Sequence, residues 1–225
     1  MKVAMILAAG RGERMRPLTD TTPKPLLKVR GKALIELHLE KLAAAGFEHV
    51  VINHAWLGEQ IEHYLGSGER YNLHIHYSAE TDALETAGGI INALPIIKAC
   101  LREQRYFAVI NGDVYSDFEF SCLPDGLNGS KGHLVLVDNP PHNVKGDFSL
   151  NENTVVRQSP KQFTFSGIAV YDVNLFANLE GRKSSLAPLL FDLADKGQLS
   201  GQHHSGIWFD IGTPQRLAQI NNMEG

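Results

Sequence analysis

The chain opens on an unbroken apolar run over residues 3–9 that stops at Gly10, the pattern of a short strand buried on both faces of a sheet. The pattern then breaks. Between Gly10 and Gly31, Pro17, Pro23 and Pro25 are interspersed with Thr19, Asp20, Thr21 and Thr22. Proline lacks a backbone donor and constrains the residue before it, so no helix continues there. A long ordered loop directly after a first strand is the leading candidate for a functional site. Over 32–45, Leu34, Ile35, His38, Leu39 and Leu42 recur at spacings of three and four, which predicts an amphipathic helix stopped by Gly46. His38 lies on its apolar face and reads as a satisfied core histidine. Strands are predicted over 50–53, 73–77 and 106–111, and helices over 57–65 and 86–100, the latter with an internal Pro95. This alternation specifies a parallel sheet wound with helices on both sides.

After Asp113 the pattern changes. Strands over 134–137, 155–158 and 163–171 follow with few helices between them, then helices over 186–194 and 215–220. The fold class read from this is α/β, Rossmann-like, with a mixed, mainly parallel central sheet. No linker, low-complexity tract or repeat divides the 225 residues, so a single domain of two halves, 1–118 and 119–225, is expected.

Composition narrows the function classes. A net charge of −4 gives no field that attracts nucleic acid, and no apolar stretch reaches the length of a membrane span. The N-terminal run is too short for a leader peptide and passes at once into Arg11, Glu13, Arg14 and Arg16. Cys100 and Cys122 are isolated, which points to a reducing cytoplasm.

The loop sequence Gly10-Arg11-Gly12-Glu13-Arg14-Met15-Arg16-Pro17 combines glycines that allow close backbone approach with arginines whose forked donors match phosphate oxygens. A polyphosphate is the natural guest. A dinucleotide fingerprint would need Gly or Ala at Met15, and a Walker loop would need Gly-Lys-Ser/Thr; neither is present. Pro23 and Pro25 flank Lys24 and hold one further cation in a defined place. At the end of the fourth predicted parallel strand, Asn111-Gly112-Asp113 stands where open α/β sheets bind ligands. Asp210, between Trp208-Phe209 and Ile211-Gly212, is a second carboxylate among apolar residues, costly without a partner. Two hard carboxylates with phosphate oxygens suit Mg²⁺; alternatively, Asp113 caps the next segment or Asp210 pairs with a lysine. Glu80, Glu85 and Thr86 put acceptors before a helix start, where Thr86 is also an ordinary N-cap candidate. His74 and His76, like His203 and His204, have no third ligand at metal spacing in the sequence and receive no role. Ser166-Gly167 lacks the surrounding nucleophile elbow.

The run LAAGRGERMRPLTDTTPKPLL, residues 7–27, resembles the N-terminal signature of the sugar nucleotidyltransferases, which make nucleotide sugars from sugar 1-phosphates. That resemblance implies a GT-A-like nucleotidyltransferase fold with a nucleotide-binding first half and a sugar-binding second half. It places Ala8, Ala9, Gly10, Arg11 and Gly12 along base and ribose, with Glu13 beside them. Arg14 falls on the β and γ phosphates and Lys24 on the phosphate between nucleoside and sugar, making Arg14, Lys24 and Asp113 catalytic. Glu80, Glu85, Thr86 and Asn111 complete the nucleotide site; Glu85 stands where the family usually has glycine. Gly146, Asp147, Ser166, Gly167 and Trp208 would meet the sugar, and Asp113 and Asp210 would hold Mg²⁺. The segments VINHAWLGEQIE, ALETAGGI, LVLVDNP, GDFSL, TFSGIAV and LAPLL further resemble one cell-wall recycling branch, which implies UTP and N-acetylmuramic acid 1-phosphate as substrates. Gln158-Ser159-Pro160-Lys161 replaces the family's Glu-Lys-Pro segment. Small-molecule substrates only, with no nucleic acid or membrane partner, and a monomer are expected.

Overall fold

The computed structural model of the protein describes residues 1–82, 84–157, 162–177, 179 and 183–223. The first apolar run forms β1 (Val3–Leu7). The proline-rich segment becomes a chain of three single-turn 3₁₀ helices ending in the small hairpin of β2 (Lys28–Val29) and β3 (Lys32–Ala33). Then follow α1 (Leu34–Ala44), β4 (His49–His54), α2 (Gly58–Leu65), β5 (His74–Ala79), α3 (Glu85–Leu101) and β6 (Tyr106–Asn111). The second half comprises β7 (Val114–Ser116), β8 (Gly132–Val137), β9 (Ser149–Asn151), β10 (Thr154–Val156), β11 (Thr164–Asp172), α4 (Ala187–Asp195), β12 (Leu199–His204), β13 (Trp208–Asp210) and α5 (Pro214–Asn222).

Nine strands form one sheet in the order β5-β4-β1-β6-β11-β8-β12-β10-β9. The central block β5-β4-β1-β6 is parallel throughout, as the strand–helix alternation requires. Beyond it β11 pairs antiparallel with both β6 and β8, while β12 returns parallel to β8. The sheet is therefore parallel at its centre and mixed toward the far edge. One face is covered by α3 and α4 through Ile90, Ile97, Leu190 and Leu193; the other by α1 and α2 through Ile35, Leu39, Leu42 and Ile61. Each such fully buried aliphatic side chain contributes about 1.5–3 kcal/mol.

Three differences from the expected elements have local causes. The helix expected from 32 begins at Leu34, because Lys32 and Ala33 pair with β2. β12 was not expected: Leu-Ser-Gly-Gln-His-His offers little apolar signal, and only Leu199 and Gly201 are buried. The strand expected over 155–158 spans Thr154–Val156, and Gln158 lies outside the described residues.

His38 is in the core as expected, but it is not fully satisfied. It is 5% exposed beside Phe120, and among the described residues its Nε2 has no hydrogen-bond partner. Burial, aided by the Lys41 charge and opposed by Asp113, lowers its pKa from 6.5 to about 4. The unfolded chain takes up a proton on His38 below pH 6.5 that the folded chain refuses until about pH 4. Stability therefore falls as pH drops through that window, by up to about 3 kcal/mol from this residue. In urea unfolding at a series of pH values, His38→Leu is expected to show a shallower loss between pH 6.5 and 4 than the parent; parallel curves would contradict this.

Candidate active site

The chain runs outward from β1 through β4 to β5 and then crosses back to β6 on the other side of β1. The strand order thus reverses between β1 and β6, and a crevice opens beyond their C-terminal ends. A cleft of about 300 Å³ lies there. Its floor is the exit of β1, with Ala8, Ala9, Gly10 and Gly12, facing the exit of β6, with Asn111, Gly112 and Asp113. Lys24 closes one side, and Glu80, Glu85 and Thr86 the other. A Cβ at Gly112 would stand 2.7 Å from the Leu7 carbonyl, so only glycine lets the two exits lie this close.

Lys24 is the organising cation. Its 3₁₀ turn is preset by Pro23 (φ −65°) and anchored by the buried Pro25. The side chain, 12% exposed, extends into the cleft and donates from Nζ to Asp113 Oδ2 at 2.6 Å. The loop before it is held from within. Thr19, fully buried, donates from Oγ1 to the Gly12 carbonyl (2.8 Å), while Met15 packs with Ile211 and Leu217 of the C-terminal segment. Met15, where a dinucleotide fingerprint needs a small residue, is thus a core anchor.

Arg11, Glu13 and Arg14 do not line this cleft. Arg11 stacks over the Trp56 ring at 3.7 Å and donates to the Thr19 carbonyl, a loop-bracing role. Glu13 lies 3.8 Å from Arg11 and 3.9 Å from Arg16. Arg14 is exposed and reaches toward the Asp210 side, where a Cβ on Gly212 would approach its Nη2 to 3.3 Å.

β13 pairs antiparallel with β7, placing Asp210 opposite Val114, and the Ile211 N–H donates to the Asp113 carbonyl (2.8 Å). Asp210, on β13, therefore sits beside Asp113, in the turn that leads into β7. Asp210 pairs with Arg216 of α5 and with His142 Nε2 at 3.1 Å, so an arginine and a histidine take the place of the alternative lysine. A wider hollow of about 570 Å³ opens beside it, lined by Asp210, Trp208, His142 and Arg216.

Of the residues expected at the sugar, Trp208 lines that hollow, its Nε1 donating to the Ser166 carbonyl at 2.9 Å. The others line neither hollow. Asp147 accepts from the Phe165 N–H and from Asn143, holding the start of β11. Ser166 is buried and accepts from the Ile168 N–H. Gly146 packs at φ +68° beside Asn139, and Gly167, at φ +80°, lies so close to Asn111 that a Cβ would be 2.5 Å from its Nδ2. Gly167 thus positions a cleft residue from behind. The Gln158-Ser159-Pro160-Lys161 segment lies outside the described residues.

Sequence reasoning missed Asn53. The penultimate residue of β4, it accepts from the Ala8 N–H (2.9 Å) and donates to Glu80 Oε1 (2.6 Å), tying three walls of the cleft together. Its signal was a polar residue closing an apolar strand. Glu80 also accepts from the Leu84 N–H (3.3 Å), so its carboxylate fixes the approach to α3. Thr86 is not an N-cap: α3 starts at Glu85, with Leu84 before it and no capping side chain. Glu85 itself has φ +61°, a left-handed conformation that costs a residue with a Cβ about 1–2 kcal/mol. Glu85→Gly is expected to raise stability by about 1 kcal/mol, measured as an increase in Tm; an unchanged or lower Tm would show that Glu85 side-chain contacts outweigh the strain.

A switch-point cleft with glycine-rich walls, one largely covered lysine and two nearby carboxylates has the form of a phosphate-handling site on an α/β fold. The nucleotidyl transferase family model matches residues 3–137, and the chain belongs to this family. The N-acetylmuramate alpha-1-phosphate uridylyltransferase of Neisseria meningitidis serogroup B is 49% identical over 234 residues, covering 99% of this chain and 98% of that one. The mannose-1-phosphate guanylyltransferase catalytic subunit beta of Drosophila melanogaster is 29% identical across 94% of this chain, which spans 60% of that longer relative. A Bacillus anthracis crystal structure named for glucose-1-phosphate thymidylyltransferase, in complex with sucrose, superposes with TM-score 0.85 at 21% identity, covering 98% of this chain and 94% of that one; it supports the fold. Among the described residues no helix is long and apolar enough to cross a membrane.

Proposed function

We propose that the chain transfers a uridylyl group from UTP to N-acetylmuramic acid α-1-phosphate, giving the nucleotide sugar and pyrophosphate. The observation that carries the chemistry is Lys24 held at 2.6 Å from Asp113 in the switch-point cleft; the choice of substrates is supported by the Neisseria relative, matched along almost its whole length. A phosphate oxygen of the sugar 1-phosphate attacks the α-phosphorus of UTP, the bond to the bridging oxygen breaks, and pyrophosphate departs. Lys24 offers a fixed cation where negative charge gathers during attack, and Arg14 an exposed one for the departing pyrophosphate. Among the described residues that line it, the cleft offers no activated serine, cysteine or histidine nucleophile, which supports direct transfer.

The donor set fits Mg²⁺: Asp113, in the turn before β7, and Asp210, on β13, supply hard oxygens, are partly exposed, and are balanced by Lys24, Arg216 and His142. Asp113 and Asp210 would hold the ion, which when bound neutralises charge on the reacting phosphates. We further assign residues 1–118 to nucleotide binding and 119–225 to the sugar within one domain, and place the protein in the cytoplasm as a monomer in cell-wall recycling. The test is a pyrophosphate-release screen of purified protein with each nucleoside triphosphate against each sugar 1-phosphate. UTP with N-acetylmuramic acid 1-phosphate is expected to be fastest. Faster release with GTP or dTTP and mannose or glucose 1-phosphate would replace these substrates.

A further inference from the structure

The N-terminal ends of the parallel strands, opposite the cleft, carry a cluster that the nucleotidyl transfer does not use. β4 and β5 run parallel with His49 opposite His74 and Val51 opposite His76. Side chains alternate along a strand, so His49, His74 and His76 share the face of Val51, which packs in the core beneath α3. Cys100, near the C-terminal end of α3, descends onto that same place. His49 Nδ1 and His76 Nε2 are 3.2 Å apart, and one ligand atom from each of His49, His76 and Cys100 lies within 4.8 Å of the others. Of the pair His74 and His76 only His76 takes part, and the other two ligands come from β4 and α3, as only the fold could show.

We propose that His49, His76 and Cys100 form a binding site for Zn²⁺ or a similarly thiophilic divalent ion. Two imidazole nitrogens bound to a tetrahedral zinc at about 2.05 Å are about 3.3 Å apart, close to the separation these two already have. A sulfur joining them completes a His₂Cys set, which favours zinc over a hard ion such as Mg²⁺. All three residues are half-buried, and a groove of about 370 Å³ leads to His49 and Cys100 between Lys2, Glu48, Arg102 and Glu103. Ion and water therefore have an entry path, and water completes the coordination. Glu48 is occupied by Lys2 at 2.9 Å.

The protonation states agree with this geometry. Burial, together with the neighbouring imidazoles, lowers the pKa of His49 and His76 and so favours neutral rings; the proton that Nδ1 and Nε2 share in their hydrogen bond moves to the donor ring's other nitrogen when both bind the ion. Burial raises that of Cys100, so the thiol is protonated in the metal-free chain. On binding, the sulfur–hydrogen bond gives way to a sulfur–metal bond and the proton passes to solvent, with no change in oxidation state. The ion would tie β4, β5 and α3 together at the base of the sheet, remote from the reacting phosphates.

The test is a titration of the full chain, stripped with chelator, with Co²⁺ as a coloured substitute. The site predicts the strong visible bands of tetrahedral cobalt and a near-ultraviolet thiolate-to-cobalt band, both displaced by Zn²⁺. Cys100→Ser should lose the thiolate band, and His76→Gln should weaken Co²⁺ binding at least about tenfold. Zn²⁺ should raise the Tm of the parent chain but not of Cys100→Ser, because an ion that binds the folded state stabilises it. Nucleotidyl transfer by Cys100→Ser in Mg²⁺ should match the parent. Absence of a thiolate band in the parent, its persistence in Cys100→Ser, or an equal Zn²⁺-induced Tm shift in both would overturn the assignment.

Discussion

Lys24→Ala should lower kcat by about 10²–10³ with only a modest change in the KM for the triphosphate. The size follows from preorganisation. Pro23 and Pro25 fix the backbone, the side chain is mostly buried, and its charge is aimed by Asp113 at 2.6 Å, so little reorganisation is needed when phosphate charge develops. A charge already in place during attack acts on the transition state more than on the bound substrate. Arg14 is its contrast, exposed and in a 3₁₀ turn outside the cleft. Arg14→Ala is expected to weaken triphosphate and pyrophosphate binding as well as turnover. Steady-state kinetics in both directions, with thermal melts as a folding control, separate the two. If Lys24→Ala alters only triphosphate KM while Arg14→Ala leaves pyrophosphate affinity untouched, the placement of phosphates along this loop is wrong.

Asp210→Ala should reduce turnover by about 10³ or more, since charge stabilisation by a bound divalent ion supplies several kcal/mol. Asp113→Ala should do the same, because the turn that carries Asp113 and the strand that carries Asp210 are joined by the Ile211-to-Asp113 backbone bond. A purely structural Asp210 predicts otherwise. Its loss would then strand Arg216 and His142 and lower Tm, while the rate and Mg²⁺ dependence of the folded fraction would stay unchanged. Activity against Mg²⁺ concentration, alongside melts, distinguishes these cases: wild-type rate and metal dependence in Asp210→Ala would remove it from the metal site.

The nucleotide half was legible because its signals are local. An apolar run ending in glycine, helical spacing from Leu34 to Leu42 and prolines around Lys24 each dictate conformation within a few residues. Asn111, Gly112 and Asp113 could be placed because strand alternation fixes where a parallel sheet opens. The second half was harder. β12 hides in a polar, glycine-containing segment stabilised by its neighbours β8 and β10, and the roles of Gly146, Asp147 and Ser166 depend on contacts with segments far along the chain. Asn53 and the partners of Asp210 escaped for the same reason: hydrogen bonds between distant elements leave no periodicity. Cys100 looked isolated because its histidine neighbours lie on strands that only the folded sheet brings beneath α3.

The most direct test of the central claim is incubation with N-acetylmuramic acid α-1-phosphate and UTP labelled at its α-phosphorus, using the parent chain and Lys24→Ala. Direct transfer from a cleft organised by Lys24 predicts label in the nucleotide sugar, unlabelled pyrophosphate in equal amount, no label on the protein, and a strongly reduced rate in the variant. Label retained on the protein, label recovered only in UMP, or an undiminished rate in Lys24→Ala would contradict it.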